Sequence, residues 1–195
     1  AAIAMVNYAV TQLLRPVVLP GLELPEGPTP EMRTLVVIPA LLLSHDAVEE
    51  LCGQLEVHYL ANPRGDVFFA LASDWKDASA ETAEGDEALL SAALDRIAAL
   101  NALHGGDRFL LLHRSRQWNA SEGVWMGWER KRGKLHELNR LLRGAVDTSF
   151  KVIGGRLPAN VRYVLTLDAD TQLPRDGVRR MVGKIAHPLN QPHVD

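Results

Sequence analysis

Residues 162–171 read RYVLTLDADT, an apolar run that ends abruptly in two carboxylates, Asp168 and Asp170. Such a run predicts a buried strand, and open α/β sheets bind their ligands at the carboxyl ends of their strands. Two acids that flank a single alanine repel each other unless something positive lies between them. The pair therefore predicts a site for a hard cation or for a phosphate-bound metal.

Three earlier apolar runs also predict strands, and together they define the fold class. They are 35–38 (LVVI), 67–72 (VFFALA) and 109–112 (FLLL). Helical periodicity lies between these runs, and each run is apolar enough to be covered on both faces. Strands that alternate with helices in this way predict an α/β fold with a mainly parallel sheet.

The boundaries of these elements follow from local signals. The first strand is expected to stop at Pro39, and Asp46 is expected to cap the helix after it. Gly105 is expected to end the long helix that precedes the third strand. A further helix is predicted over 134–146, and the fourth strand over 163–167.

The first 32 residues differ in composition from the rest of the chain. Residues 1–14 (AAIAMVNYAVTQLL) form an apolar segment, expected to be membrane-proximal or to dock on another domain. Residues 15–32 carry five of the eleven prolines and are predicted to be a linker. The domain proper is assigned to 33–195. Because the chain begins with alanine, we expect it to be part of something larger.

Composition and missing motifs disfavour several classes of protein. The 195 residues carry a formal charge of −3, without the basic excess of a nucleic-acid binder, so no nucleic-acid partner is expected. The single cysteine, Cys52, fits a helical apolar pattern, and the seven histidines lack the spacing of a zinc site. The chain contains neither the G-x-S-x-G elbow of α/β-hydrolases nor the G-x-G-x-x-G of dinucleotide binders.

Other candidate residues allow two interpretations. Asp74 follows the second apolar run, where an ordinary turn and a ligand site are equally expected. Cations crowd 130–134 (RKRGK), which is either a solvated face or a helix start at which Lys134 meets a diphosphate. Three tryptophans before this segment are either core residues or platforms that stack against sugars: Trp118, Trp125 and Trp128.

The order of four motifs resembles a GT-A glycosyltransferase of the family-2-like, processive kind. The motifs are LVVIPA at 35–40, the strand that ends in Asp74, GKLHELN at 133–139 and LDADT at 167–171. More narrowly, nearly the whole chain is similar to the glycosyltransferase region of cyclic β-1,2-glucan synthases. The resemblance implies a Rossmann-like, nucleotide-sugar-binding half of a GT-A domain that stops after the D-x-D strand.

The resemblance also implies roles for particular residues. Asp74 would hold the uracil of UDP-glucose, in a pocket lined by Pro39 and Ala40. Lys134 would lie near the nucleotide and diphosphate, and Asn139 completes its motif.

The D-x-D pair would complete this site: Asp168 toward ribose or diphosphate and the metal, and Asp170 toward Mg²⁺ or Mn²⁺. The metal would neutralise the UDP leaving group during inverting β-1,2-glucosyl transfer. Such synthases are large proteins of the bacterial inner membrane, so this region would lie on the cytoplasmic face. Its partners would be the growing β-glucan acceptor and the remaining domains of the parent chain. The catalytic base is expected beyond Asp195, so donor binding without transfer is predicted for this chain.

Two other classes fit part of the pattern. Asp168-Ala169-Asp170-Thr171 matches the D-x-D-x-T nucleophile motif of haloacid dehalogenase-like phosphatases, in which the first aspartate attacks phosphorus. That motif normally opens its domain, whereas here it comes late in the chain. A non-catalytic interaction module that docks on other domains is the third interpretation.

Overall fold

The computed structural model describes residues 2–14 and 18–191. Its helices and strands alternate along most of this length, with a short 3₁₀ turn at Pro30–Met32 and another at Pro188–Asn190. In chain order they are α1 (Ala2–Leu13), β1 (Thr34–Leu42), α2 (His45–Ala61), β2 (Val67–Trp75), α3 (Asp86–His104), β3 (Phe109–Arg114), β4 (Gln117–Asn119), β5 (Val124–Met126), α4 (Arg130–Leu142), β6 (Phe150–Gly154), β7 (Tyr163–Thr166) and α5 (Gly177–Ile185).

Five strands form the central sheet in the order β6-β3-β2-β1-β7. Strands β7, β1, β2 and β3 run parallel, and β6 pairs antiparallel with β3 at one edge. Apolar side chains from both faces of the sheet pack into two buried clusters, one against α2, α3 and α5 and the other against α4. The predicted α/β fold with a mainly parallel sheet is confirmed.

Strands β1 and β2 extend further than their apolar runs predicted. Strand β1 continues through Pro39 to Leu42, so the prediction that it stops at the proline is wrong. The β7 ladder on β1 reaches only as far as Val37, whereas β2 stays paired with β1 up to Trp75. A residue without an N–H is tolerated at this point because β1 has become an edge on that side.

The starts of two helices also differ from prediction. Ser44, not Asp46, caps α2, because the Ser44 hydroxyl accepts a hydrogen bond from the Ala47 N–H at 3.1 Å. Helix α4 begins at Arg130, so Lys134 lies in its second turn and not at its amino terminus. The prediction that Gly133 and Lys134 open this helix is therefore wrong, and the cations in its first turn are Arg130, Lys131 and Arg132.

Three strands, β4, β5 and β6, were not predicted, and a fourth, β7, differs from its prediction. Strands β4 and β5 form a two-stranded hairpin in the tryptophan-rich segment. Strand β6 alternates buried and exposed residues, as expected for an edge strand. Strand β7 is also an edge, and its Val164 and Thr166 are exposed, so the prediction that each strand is covered on both faces is wrong for β7.

The residues before β1 form two segments. All residues of α1 are exposed. Ala1, residues 15–17 and residues 192–195 lie outside the described residues, so the proposed linker over 15–32 is described only from Val18 onward. Part of that stretch packs on the domain, since the Leu22 N–H donates to the Gly183 carbonyl at 2.9 Å. Within 2–14 and 18–191, no helix combines the length and apolarity needed to cross a membrane.

Candidate functional site

A cleft of about 610 Å³ opens at the carboxyl ends of β1 and β2, and we call it the strand-end cleft. Its position follows from the parallel sheet, because strands that run the same way end at the same edge. The start of α2 forms one wall and the start of α4 another. It is lined by Pro39, Ala40, Leu41, Leu43, Ala47, Glu50, Leu51, Gln54, Asp74, Trp75, Asp77, Gly127, Arg130, Lys131, Lys134, Ala169 and Asp170.

The strand-end cleft brings together most of the residues singled out in the sequence. Five of them line it: Pro39, Ala40, Asp74, Lys134 and Asp170. The other two lie elsewhere. Asp168 is exposed and forms an ion pair with the cleft residue Lys131. Asn139 is exposed on α4 and is not among the lining residues.

The floor of the cleft is a buried ion pair between Asp74 and Arg114. Both carboxylate oxygens of Asp74 accept from the guanidinium, Oδ1 from Nε at 2.6 Å and Oδ2 from Nη2 at 2.9 Å. The Arg114 side chain is 0% exposed. Its fork-shaped donor set matches a carboxylate in two parallel bonds, which fixes Asp74 in one orientation.

Arg114 satisfies all five of its N–H donors within this cluster. Nη1 donates to Glu137 Oε2 at 2.8 Å and to the Trp128 carbonyl at 3.1 Å, and Nη2 also donates to the Arg130 carbonyl at 3.1 Å. Burial alone would lower the pKa of Arg114, but the hydrogen bond and charge of Asp74 raise that pKa above its usual value. Arg114 is therefore permanently charged and joins β2, α4 and the turn before α4.

Glu137 anchors the far side of this cluster. Its carboxylate accepts from the Ser149 N–H at 2.8 Å and from the Ser149 hydroxyl at 2.5 Å, in addition to Arg114. Burial favours a higher pKa for Glu137, yet these bonds from Ser149 and Arg114 hold the pKa below its ordinary value. Glu137 is thus ionised at neutral pH. The buried cluster thus contains two acidic side chains, Asp74 and Glu137, and two basic side chains, Arg114 and Lys134.

Lys134 is the second base of the cluster and is only 3% exposed. Its ammonium donates to the Ala40 carbonyl at 2.6 Å and lies 3.1 Å from Asp74 Oδ2. Burial lowers the pKa of Lys134, although the charge of Asp74 partly offsets that effect. The ammonium is therefore held between Asp74 and the Ala40 carbonyl, and it connects the end of β1 to α4.

Gly127 lies directly against the Asp74 carboxylate. A Cβ built on Gly127 would lie 2.7 Å from Asp74 Cγ and 2.9 Å from Arg114 Nη2. These distances are shorter than side-chain contacts allow, so only glycine fits here. The segment that leads from the β4–β5 hairpin to α4 can therefore pass close over the ion pair.

A neutral histidine lies beside the same cluster. The Ser73 hydroxyl and His113 Nδ1 are 2.8 Å apart, and the His113 ring packs edge-on against Trp75 with centroids 4.2 Å apart. Burial lowers the pKa of His113 to about 4. Among the described residues, the His113 Nε2 atom is buried without a hydrogen-bond partner. A protonated His113 would add a third positive charge next to Lys134 and Arg114.

The cations that face solvent in the strand-end cleft are Arg130 and Lys131. Lys131 is 51% exposed and pairs with Asp168. Arg130 pairs with Asp77 at 2.9 Å and with Glu122 at 3.0 Å. Since neither cation is buried, both can rearrange toward an anionic ligand at little cost.

Asp168 and Asp170 lie in a turn after β7, in which the Thr171 N–H donates to the Asp168 carbonyl at 2.9 Å. Within the described part of the chain, no group of three His, Cys, Asp or Glu side chains is placed to hold a metal. Two exposed carboxylates nevertheless fit Mg²⁺ or Mn²⁺, since such ions are commonly held by one or two carboxylates together with substrate phosphates and water.

Sequence reasoning missed Arg114, Glu137 and Lys131. The signal for Arg114 was available, because His113-Arg114 directly follows the FLLL run and had to end at the same sheet edge as Asp74. Glu137 lies within GKLHELN, but its burial depends on Ser149, which is distant in sequence. Lys131 was not distinguished from the neighbouring cations because α4 was predicted to start four residues after its actual start at Arg130.

The chain is similar to part of a much longer protein. The chain is 52% identical over 197 residues to "Cyclic beta-(1,2)-glucan synthase NdvB" of Rhizobium meliloti (strain 1021). The match covers 100% of this chain and 7% of that protein, so the chain spans about 7% of the length of the relative. No protein-family model matches the chain.

This relative supports part of the resemblance seen in the sequence. The whole chain is similar to a region of a cyclic β-(1,2)-glucan synthase. The similarity favours neither the phosphatase nor the interaction module. Assignment to GT-A family 2 remains a prediction.

Proposed function

We propose that this chain forms the donor-binding region of a glucan synthase and binds UDP-glucose in the strand-end cleft. The observation that carries the proposal is the convergence of Pro39, Ala40, Asp74, Lys134 and Asp170 on that one cleft. Similarity of the whole chain to a region of a cyclic glucan synthase supports the choice of a glucosyl donor.

The uracil would lie over Asp74. Oδ2 of this carboxylate accepts from both Arg114 and Lys134, whereas Oδ1 accepts only from Arg114 Nε within the described structure. A carboxylate oxygen can accept two hydrogen bonds, so Oδ1 retains capacity for an imide N–H such as that of uracil. The two hydrogen bonds from Arg114 hold Asp74 in the orientation that this contact needs.

The diphosphate would lie toward Arg130 and Lys131. Both cations line the cleft and are exposed, whereas the Lys134 ammonium is held between Ala40 and Asp74. We therefore assign the direct diphosphate contacts to Arg130 and Lys131, and assign to Lys134 the positioning of Asp74.

Asp168 and Asp170 would hold Mg²⁺ or Mn²⁺, which neutralises negative charge on the leaving diphosphate when it is bound. Because Asp168 pairs with Lys131, a ligand that attracts Lys131 also frees this carboxylate. In the complete enzyme, an acceptor hydroxyl of the growing β-(1,2)-glucan attacks the anomeric carbon. The bond to the diphosphate oxygen breaks with inversion, UDP leaves, and the hydroxyl proton passes to a base.

Calorimetry with UDP and UDP-glucose tests this proposal. We expect saturable binding in Mn²⁺ that weakens at least about tenfold in chelator and in Asp170→Asn. Asp95→Asn, which removes an exposed acid of α3, is the matched control and should bind as the wild type does. Absence of saturable UDP binding by the wild type, or binding that is indifferent to both chelator and Asp170→Asn, would refute the proposal.

A further inference from the structure

We propose that a second cleft, beneath the β4–β5 hairpin, binds a neutral saccharide chain. This hairpin cleft has a volume of about 490 Å³, and its wall includes Gln117, Trp118, Glu122, Trp128, Glu129 and Arg130. It is separate from the strand-end cleft, although Arg130 lines both.

Two exposed indoles are the main reason for this inference. Trp118 is 53% exposed and Trp128 is 45% exposed, and both line the hairpin cleft. Leaving such large apolar rings in water is unfavourable, and indoles usually combine an apolar contact with a polar edge. The flat C–H face of a pyranose packs against an indole ring, while the hydroxyls around its rim remain free for hydrogen bonds.

The two indoles are held in place before any ligand arrives. Trp118 packs against its cross-strand neighbour Trp125 with ring centroids 6.0 Å apart, and Trp128 packs against His136, also at 6.0 Å. The Trp128 carbonyl is bonded to buried Arg114, and a Cβ on Gly133 would lie 2.8 Å from the Trp128 ring. A fixed platform loses little conformational entropy on binding, which favours affinity for a flexible glycan.

The polar wall of the hairpin cleft suits hydroxyls better than phosphates. Glu122 pairs with Arg130 at 3.0 Å, and Glu129 pairs with Arg132 at 2.8 Å. Each cation near the cleft is thereby matched by a carboxylate, so the field on an anionic ligand is weak. Carboxylate, guanidinium and the Gln117 amide together offer both donors and acceptors, as the hydroxyls of a neutral sugar require.

The backbone before α4 places this wall next to the strand-end cleft. Glu129 and Arg130 adopt left-handed φ values of 51° and 47°, which are unfavourable for residues other than glycine. This turn directs Arg130 between Asp77 and Glu122, at the boundary of the two clefts. A saccharide in the hairpin cleft would thus lie beside the donor. The choice of β-(1,2)-glucan as the saccharide rests on the proposed function.

Calorimetry with a short β-(1,2)-linked gluco-oligosaccharide tests the inference in the absence of nucleotide. We expect saturable binding by the wild type, with affinity at least about tenfold lower in Trp118→Ala and in Trp128→Ala. Trp118→Phe, which keeps an aromatic face, should retain most of the affinity. Tyr8→Ala removes an exposed aromatic outside the cleft and is the matched control. Circular dichroism verifies that each variant is folded.

Three results would overturn the inference: no saturable binding by the wild type, unchanged affinity in both folded Trp→Ala variants, or loss of saccharide binding when UDP saturates the chain. The last result would place the sugar in the strand-end cleft. A parallel UDP titration separates this inference from the proposed function. UDP binding without saccharide binding refutes only the hairpin site, and saccharide binding without UDP binding refutes only the donor site.

Discussion

Arg114 and Asp74 meet at the ends of two adjacent parallel strands and share two hydrogen bonds of 2.6 and 2.9 Å. Both charges are buried, so each has lost its favourable contacts with water, and the attraction between them offsets that cost. The same guanidinium also bonds to Glu137 and to the backbone of the turn before α4. One buried side chain thus sets the position of the floor of the strand-end cleft.

Breaking this pair should be costly. We expect Arg114→Gln or Asp74→Asn to lower the free energy of unfolding by about 3–5 kcal/mol, since either change leaves an uncompensated buried charge. Urea denaturation measures the loss. The double variant should lose much less than the sum of the two single variants.

The matched control is Arg140→Gln, which breaks an exposed pair with Asp147 at 2.6 Å. Exposed pairs contribute little, so its stability should stay near that of the wild type. Equal losses in Arg140→Gln and Arg114→Gln would contradict the role given to burial.

Two glycine-to-alanine substitutions should change the stability of the chain in opposite directions. Gly127→Ala places a methyl group against Asp74 and should destabilise the chain by about 1–3 kcal/mol through overpacking. Gly53→Ala lies inside α2 with open space around it and should stabilise the chain by about 0.5–1 kcal/mol. Melting temperatures distinguish the two outcomes, and a stable Gly127→Ala would mean that the segment over Asp74 is not tightly packed.

Stability should fall on mild acidification because of His113. Burial lowers the pKa of His113 from 6.5 to about 4, so between these values the unfolded chain binds a proton that the folded chain does not. The contribution of neutral His113 to the free energy of unfolding is complete above pH about 6.5. It should decline by about 1.4 kcal/mol per pH unit toward pH about 4. Urea denaturation across this range measures the slope.

A His113→Gln variant should show a shallower slope, since the amide does not titrate. Part of the slope will remain, because burial also lowers the pKa of His58. Identical slopes for the wild type and His113→Gln would show that His113 is not the group responsible.

The two lysines of α4 should respond differently to substitution. Lys131→Gln should weaken UDP binding about tenfold and leave the melting temperature unchanged, because Lys131 is exposed. Lys134→Met should lower the melting temperature, because it removes the side-chain donor of the Ala40 carbonyl and one of the two cationic partners of Asp74. Lys151→Gln, an exposed lysine of β6, controls for loss of charge. Unaltered UDP affinity in Lys131→Gln would argue against the assigned diphosphate contact.

The sequence predicts the parallel part of the fold well, since unbroken apolar runs such as 109–112 have few stable alternatives to a buried strand. It fails at the edges, where pairing depends on the partner. Strand β6 has Lys151 as its second residue, and its alternation of buried and exposed residues is too short to be recognised in the sequence. The predicted start of α4 was wrong because the turn at Glu129 has a left-handed backbone, and the carbonyls on either side of Glu129 accept hydrogen bonds from Arg114, which is distant in sequence.

The candidate site was predictable where a motif lies at a strand end, as at Asp74, Ala40 and Asp170. The sequence does not reveal which charged side chains are held in buried ion pairs and which face solvent. Lys134 and Lys131 differ by three positions in one basic run, yet one is buried in the floor and the other faces solvent. Only the packing of α4 against the ends of the sheet separates them.

The separation of the cluster members along the chain has a consequence for folding. Arg114 is 40 residues from Asp74, and Glu137 is 23 residues from Arg114, so the cluster joins segments that meet only after the β2-to-β3 crossover is complete and α4 has docked. Loop-closure entropy makes such contacts late events. In a chain whose sheet is only partly formed, these charged side chains would lack their partners and would remain hydrated. The floor of the cleft should therefore appear in a single cooperative step, together with the native sheet.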